Sequence, residues 1–193
     1  NPAFPVITAQ LNRYTGVPYS DACHPGWEAI REAQRQAARR LPGVYTIGTL
    51  DLGLSDCIHN NSASNLVIGE RMADVALGAV HGRDVKYRHP DLAKARRVGK
   101  KTIELVFDNV DTRLHFENNI PEQFPFAVRD SAGAVPVTKW SLPSKNVFRI
   151  ELGRPLKANA TVTGAPTACP PTTLPFDICG YRPMLAFTAP VKN

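Results

Sequence analysis

Within residues 51–61 (DLGLSDCIHNN), the unit Asp56-Cys57-Ile58-His59 sets a carboxylate three positions before an imidazole. An imidazole moves protons near neutral pH when its tautomer and orientation are fixed, and a carboxylate bonded to the other ring nitrogen fixes both. The pair reads as a general acid–base with its orienting acid. Asp51 is the next candidate for the acid, but it stands closer to the preceding strand and is assigned to stabilising the loop. An Asp-x-x-His pair on a loop is commonly no more than a capping pair. Its place between a strand and a helix, where open α/β sheets carry their chemistry, favours catalysis. Such a base needs a nucleophile, and no serine here lies in a Gly-Asp-Ser, Gly-Gln-Ser or Gly-x-Ser-x-Gly setting. His24, His81, His89 and His115 have no matching acids and read as structural. No cysteine pair shows Cys-x-x-Cys spacing, so no metal and no cofactor is expected.

The elements that must position this pair are a strand over 4–11, a turn-rich loop over 12–20, a helix, and a second strand over 44–50. On the first helix Trp27, Ile30, Gln34, Ala37, Ala38 and Leu41 share one face. Glu28 and Glu32 lie early and Arg39 and Arg40 late, as the helix dipole favours, and the arginines read as a solvated face. Pro42-Gly43 ends it. A second helix from about residue 64 carries Leu66, Gly69, Met72, Ala73, Ala76, Leu77 and Val80 at helical spacing. Strand, helix, strand, helix with short connections is half of a doubly wound parallel-sheet α/β domain. Two strands cannot cover both apolar stripes, so the rest of the sheet is expected from outside this chain.

Composition then changes. The expected organisation is an α/β unit over 1–82, a basic linker over 83–100, and an antiparallel β-sandwich over 101–193. Short strands are expected at 102–107, 113–116, 126–129, 134–138, 147–152 and 160–163, with turn residues between them. The apolar tail 180–187 is expected to return to the domain junction.

The 193 residues carry a formal charge of +6, with 43% hydrophobic and 21% charged residues, which suits one large or two small cores. The basic cluster over 94–101 has no nucleic-acid motif around it and reads as solvated, so no nucleic-acid partner is expected. No apolar run is long enough to span a membrane. The start at Asn1-Pro2, directly before a strand, reads as the continuation of something longer. Cys169 and Cys179 bracket a proline-rich excursion and are candidates for a disulfide; Cys23 and Cys57 could form a second. These pairings point to an oxidising compartment.

The order of motifs resembles a known family. Gln10-Leu11, Trp27 with the run 31–34 (REAQ), the run 51–53 (DLG), Asp56-x-x-His59, the run 68–73 (IGERMA), Ala76-Leu77 and His81-Gly82 look like the second half of the sialate O-acetylesterase group of SGNH hydrolases. Residues 103–110 resemble the opening of that family's terminal β-domain, and 180–187 resemble its ending. The resemblance implies a serine carbohydrate O-acetylesterase in which His59 is the base, Asp56 orients it, and Gln10, Asn12 and Tyr14 could line the sugar site. The serine and oxyanion-hole blocks of the family lie upstream and are absent here. This chain is therefore expected to be the C-terminal part of a longer or proteolytically processed esterase, inactive alone and partnered by an N-terminal chain. Two features depart from the family: Asn60-Asn61 stands where His-Pro is common, and Asn60-Asn61-Ser62 is a glycosylation sequon beside the base. A bacterial periplasmic or secreted setting avoids a glycan there. The alternative is a non-catalytic carbohydrate-binding or assembly module using Trp140, Phe124 and Tyr181 as stacking faces. The esterase reading predicts that an intact-mass spectrum of the native preparation shows a second polypeptide carrying the serine block, or a longer precursor. A single species of this sequence with full esterase activity contradicts it.

Overall fold

A computed structural model describes residues 4–16, 23–118, 120 and 123–193. The side chains of Cys23 and His24 lie outside the described residues, and with them the Cys23–Cys57 pairing. Strands β1 (Val6–Ala9) and β2 (Val44–Ile47) pair in parallel, Val6 opposite Val44 and Ala9 opposite Ile47. Helix α1 (Cys23–Arg40) connects them, and α2 (Ser62–Val75) follows β2 and runs into a π-helical turn over Ala76–Val80. Gly43, at φ +78°, makes the expected stop after α1.

The β layer comprises β3 (Asp91–Gly99), β4 (Thr102–Asp108), β5 (Leu114–His115), β6 (Phe126–Asp130), β7 (Gly133–Val135), β8 (Val137–Ser144), β9 (Val147–Leu152), β10 (Thr161–Gly164), β11 (Phe176–Asp177), β12 (Arg182–Pro183) and β13 (Phe187–Lys192). Among the described residues, eight of these form one sheet in the order β7-β6-β10-β13-β3-β4-β9-β8, and β12-β11-β5 form a small one. All pairs in the eight-stranded sheet are antiparallel except β13 with β3. Phe187 to Pro190 of β13 pair with β10, whereas Val191 and Lys192 pair with β3. Strand β13 thus passes from one half of the sheet to the other, and the halves fold over a common core. Phe126 on β6 and Phe148 on β9 are far apart in strand order, yet their ring centroids lie 4.8 Å apart. Phe116, Trp140 and Phe187 join that cluster. Gly164 must be glycine, because a Cβ there would stand 2.4 Å from the Phe187 ring.

Two expectations are corrected. Residues 83–100 are not a linker throughout, since 91–99 form β3, central in the sheet. A register shift between Leu92 and Lys94 breaks the alternation that would have marked the strand, while Leu92 and Ala95 point inward. The excursion over 169–179 is held without a staple: Cys169 and Cys179 are free thiols. Asp177 secures it instead, accepting the backbone N–H groups of Asp111 at 2.6 Å and Thr112 at 3.3 Å and the Thr112 hydroxyl at 2.9 Å. The tail returns to the junction, where the Leu185 N–H donates to the Pro90 carbonyl at 2.9 Å and Ala186 bonds to Gln10.

Helix α1 meets the β layer through a polar face. Ile30 is 52% exposed and Leu41 55%, and it is Arg31 and Arg35 that are buried. Arg35 forks onto Glu32 at 2.8 Å and reaches Asp91 at 2.7 Å, with Arg39 on the other Asp91 oxygen. Arg31 and Arg35 are therefore interior ties, whereas Arg39 and Arg40, the pair expected on a solvated face, are exposed, Arg39 reaching back to Asp91. Burial pushes the Glu32 carboxyl up, but hydrogen bonds from Arg35 and Gln36 outweigh it and leave the group below its ordinary value. Helix α2 behaves in the same way: Ser64, Arg71 and Val75 face inward. The stripe Leu66, Gly69, Ala73, Leu77 and Val80 faces out, with Leu66 72% exposed and nothing within 4 Å of where a Gly69 Cβ would stand.

Removing one partner of a buried ion pair leaves the other uncompensated, which destabilises a fold by about 3–5 kcal/mol. Asp91→Ala is expected to lower stability by about 3 kcal/mol, the low end because Glu32 remains on Arg35. Urea unfolding measures this, and Ile30→Ala on the exposed side of the same helix should change it little.

Candidate functional site

The loop after β2 is built outward from its stem. Asp51 takes both terminal nitrogens of Arg71 on α2, at 2.9 and 2.6 Å, and Arg71 also donates to the Gly48 carbonyl at 2.8 Å. Asp51 is thus the loop's anchor. The Gly53 carbonyl accepts the Ser64 hydroxyl at 2.9 Å, and Asn61 caps α2 by accepting the Ser64 N–H at 2.8 Å. A Cβ on Gly53 would approach the Asn61 Nδ2 to 2.7 Å. Leu54 and Asn60 bridge in antiparallel fashion, and the Ser55 N–H donates to the His59 carbonyl at 2.8 Å, so residues 54–60 form a closed turn.

At the tip of that turn Asp56 bonds in two directions. Its Oδ1 accepts the backbone N–H groups of Ile58 at 2.8 Å and His59 at 2.7 Å, and its Oδ2 meets His59 Nδ1 at 2.8 Å. The backbone N–H of His59, then that of Ile58, then the imidazole hold the carboxyl well below the usual carboxylate range. An ionised carboxylate only accepts, so the proton sits on Nδ1 and Nε2 carries the lone pair. The His59 side chain is 77% exposed, standing on open surface. A ring held in this tautomer, with its free nitrogen toward solvent, can take a proton from a hydroxyl group and return it to a leaving alcohol.

The structure places the other candidate residues as follows. Gln10 is 1% exposed, and its amide donates to the Arg31 and Ala186 carbonyls at 3.0 and 2.9 Å while accepting the Ala186 N–H at 2.8 Å. It ties β1 to the C-terminal tail and has no polar atom left for a ligand, which corrects the expectation for this residue. Asn12 is 9% exposed; its Nδ2 donates to Asn60 and its Oδ1 accepts the Arg13 N–H at 2.8 Å. It braces the loop and does not line an open surface. Tyr14 stacks on Trp27 with ring centroids 5.8 Å apart, and the neighbouring Thr15 N–H donates to the Cys57 carbonyl at 2.8 Å. Cys57 is an exposed free thiol. His89, read as structural, is buried with Nδ1 on the Pro183 carbonyl at 2.9 Å and Nε2 accepting from Gly48. Burial and Arg71 push its pKa down to about 3.

Of the three aromatics expected as stacking faces, Tyr181 alone is largely exposed, at 73%, and it stacks on Phe176. Trp140 and Phe124 pack against the core, and the Trp140 indole N–H donates to the Asn118 carbonyl at 3.1 Å. A polar cleft of about 560 Å³ lies elsewhere, lined by Arg39, Tyr45, Tyr87 and Arg88 among others. Among the described residues no group of His, Cys, Asp and Glu could hold a metal ion. No helix is long and apolar enough to cross a membrane among the same residues.

No protein-family model matches this sequence, and no curated protein matches it. Among solved structures, the chain is similar in fold to the crystal structure of XAC1771, a carbohydrate acetylesterase from Xanthomonas citri. The TM-score is 0.78 at 18% identity, over 97% of this chain and 41% of that one. The chain thus spans about two-fifths of that neighbour's length. Structures of the surface-layer protein SbsC match only at TM-scores of 0.40 and 0.41.

A carboxylate held below its ordinary pKa stabilises its loop above the unfolded value, and that contribution is lost as pH falls through the folded value. The Asp56 turn is therefore expected to survive acidification to pH 3.8, the group's ordinary pKa, and to open only well below it. Hydrogen exchange of the His59 backbone amide reports this; protection already lost at the ordinary value contradicts it. Asp56→Ala should remove that protection at every pH.

Proposed function

We propose that this chain is the C-terminal part of an SGNH-type carbohydrate O-acetylesterase, with the serine and the oxyanion-hole donors supplied by an N-terminal chain of the same enzyme. The observation that carries the reading is the Asp56–His59 pair, with Nδ1 bound at 2.8 Å and the ring exposed on the loop that follows a parallel strand. Two further facts support it. The fold is similar to that of a carbohydrate acetylesterase more than twice as long. The outward apolar stripe of α2 and the two-strand extent of the parallel sheet are what a missing half would cover and extend.

In this reading the serine hydroxyl attacks the acetyl carbonyl while His59 Nε2 takes its proton, and an Oγ–C bond forms as the carbonyl becomes an oxyanion. Collapse breaks the bond to the sugar oxygen, and the imidazolium returns its proton to that oxygen. Water then attacks the acetyl-serine carbonyl: His59 takes one of its protons, collapse breaks the Oγ–C bond and releases acetic acid, which ionises in solvent, and the proton on His59 restores the serine hydroxyl. Asp56 keeps the imidazole in the required tautomer and stays ionised throughout. The substrate is an acetylated sugar, and the setting we assign is the bacterial periplasm or the extracellular space.

Removing a general acid–base costs about 10²–10⁴ in rate. His59→Ala is expected to reduce hydrolysis of an acetylated sugar by that range in the complete enzyme, and to abolish labelling of the companion serine by a fluorophosphonate probe. No labelling of any polypeptide in an active native preparation, or full activity in His59→Ala, overturns the assignment. Retained glycan binding without hydrolysis favours the binding-module alternative.

A further inference from the structure

Arg31 is a buried cation whose fork, among the described residues, meets carbonyls and no carboxylate. Its Nε donates to the Leu11 carbonyl at 2.9 Å, and Nη2 to the carbonyls of Asn12 at 2.9 Å and Ala168 at 3.0 Å. Nη1 reaches the carbonyls of Thr167 at 2.5 Å and Ala165 at 3.4 Å. A guanidinium has five N–H groups, and each here meets a carbonyl. Burial pushes the Arg31 pKa down to about 10, which leaves it charged at neutral pH. The five carbonyls belong to two remote segments: the end of β1 and the loop after β10.

The second segment is shaped to meet the fork. Ala165 and Thr167 lie at φ +55° and +72°, a region that side-chain-bearing and especially β-branched residues avoid. The Thr167 N–H donates to Glu28 on α1 at 2.7 Å. Strain of this kind persists only where the surroundings impose it. From there the contacts run to the turn that carries His59. The Ala168 carbonyl accepts the Tyr14 N–H at 3.0 Å, and the next residue, Thr15, donates its N–H to the Cys57 carbonyl at 2.8 Å. In parallel, Asn12, whose carbonyl Arg31 holds, donates from its side chain to Asn60.

The geometry points to Arg31 as a positioning residue through which the β layer sets the conformation of the Asp56–His59 turn, with segment 11–15 as the connecting piece. Arg31 touches neither the imidazole nor any reacting atom. The coupling uses the flat five-donor fork and not charge alone, since an ammonium offers three donors on one centre and cannot reach two segments in one plane. The functional meaning rests on the esterase reading, but the coupling itself is read from the ring.

The test uses the full chain with any companion it carries. Ring ¹⁵N spectra, with His59 assigned through His59→Gln, report which nitrogen bears the proton. Amide exchange at Thr15 reports the bond to Cys57. In Arg31→Lys the His59 signals are expected to move toward a mixed tautomer, and Thr15 exchange to quicken about tenfold, with amides of β4 and β9 unchanged. Asn12→Ala is expected to give the same ring signature from the other end. The double variant should be no worse than the more severe single one, as for residues on one path. Native ring signals and native Thr15 exchange in Arg31→Lys overturn the proposal, and so do additive effects in the double variant. Should Arg31→Lys fail to fold, Glu28→Gln, which weakens the grip on Thr167, and Asn12→Ala decide together: native spectra in both overturn it. An absence of ester hydrolysis in the unaltered protein sinks the esterase reading and leaves the ring measurement standing.

Discussion

Helix α1 contributes Arg31 and Arg35, and none of its apolar side chains, to the fully buried interior among the described residues, and the fold depends on how these buried cations are satisfied. Arg35 has carboxylates at Glu32 and Asp91, whereas Arg31 has main-chain carbonyls drawn from the end of β1 and the loop after β10. Burying a charged group is costly unless its hydrogen bonds are replaced, and at Arg31 and Arg35 that requirement fixes the helix in rotation as well as in position. An apolar face could slide by a fraction of a turn with little loss. A five-donor fork has one acceptable setting. The same setting brings the end of β1 against the turn carrying His59.

That arrangement explains which parts could be read from sequence. The dyad was legible because it is local: three residues separate Asp56 from His59, and the turn that joins them is made by their own backbone. The alternating strands 102–107 and 147–152 were legible because one face of each is interior. Strand β3 was hidden by a bulge and by Lys94, Arg96 and Arg97, which read as solvated charge. The inward role of Arg31 and Arg35 was hidden for a related reason. Arg31, Arg35 and Arg39 recur at helical spacing, which is also how a solvent-facing stripe is written. Their partners lie at Asp91 and beyond Gly164, too far along the chain for spacing to reveal them.

Gln10 and Asn12 show the same limit from the other side. Polar residues at the end of a parallel strand are reasonable ligand candidates, and nothing in the sequence announces that Ala186 and Asn60 will claim their amides. Asn61 could have been recognised as a helix cap, since an amide side chain directly before a helical run is a known start signal. The outward apolar stripe of α2 carried the opposite message. Its helical periodicity was visible, but which side faces a layer of this chain is a property of the assembled fold.

Strand β13 belongs to both halves of the large sheet, and Ala186, immediately before it, locks onto Gln10. Contacts that span nearly the whole sequence form late, because closing so long a loop is entropically unfavourable until other contacts reward it. During synthesis on the ribosome, the first strand pair and its helix must therefore wait, incompletely fastened, until residues 186–192 have emerged. The Asp56–His59 turn can close on its own hydrogen bonds before then, but its seating against residues 12–15 is completed only when residues 165–168 and 186–192 have joined the fold.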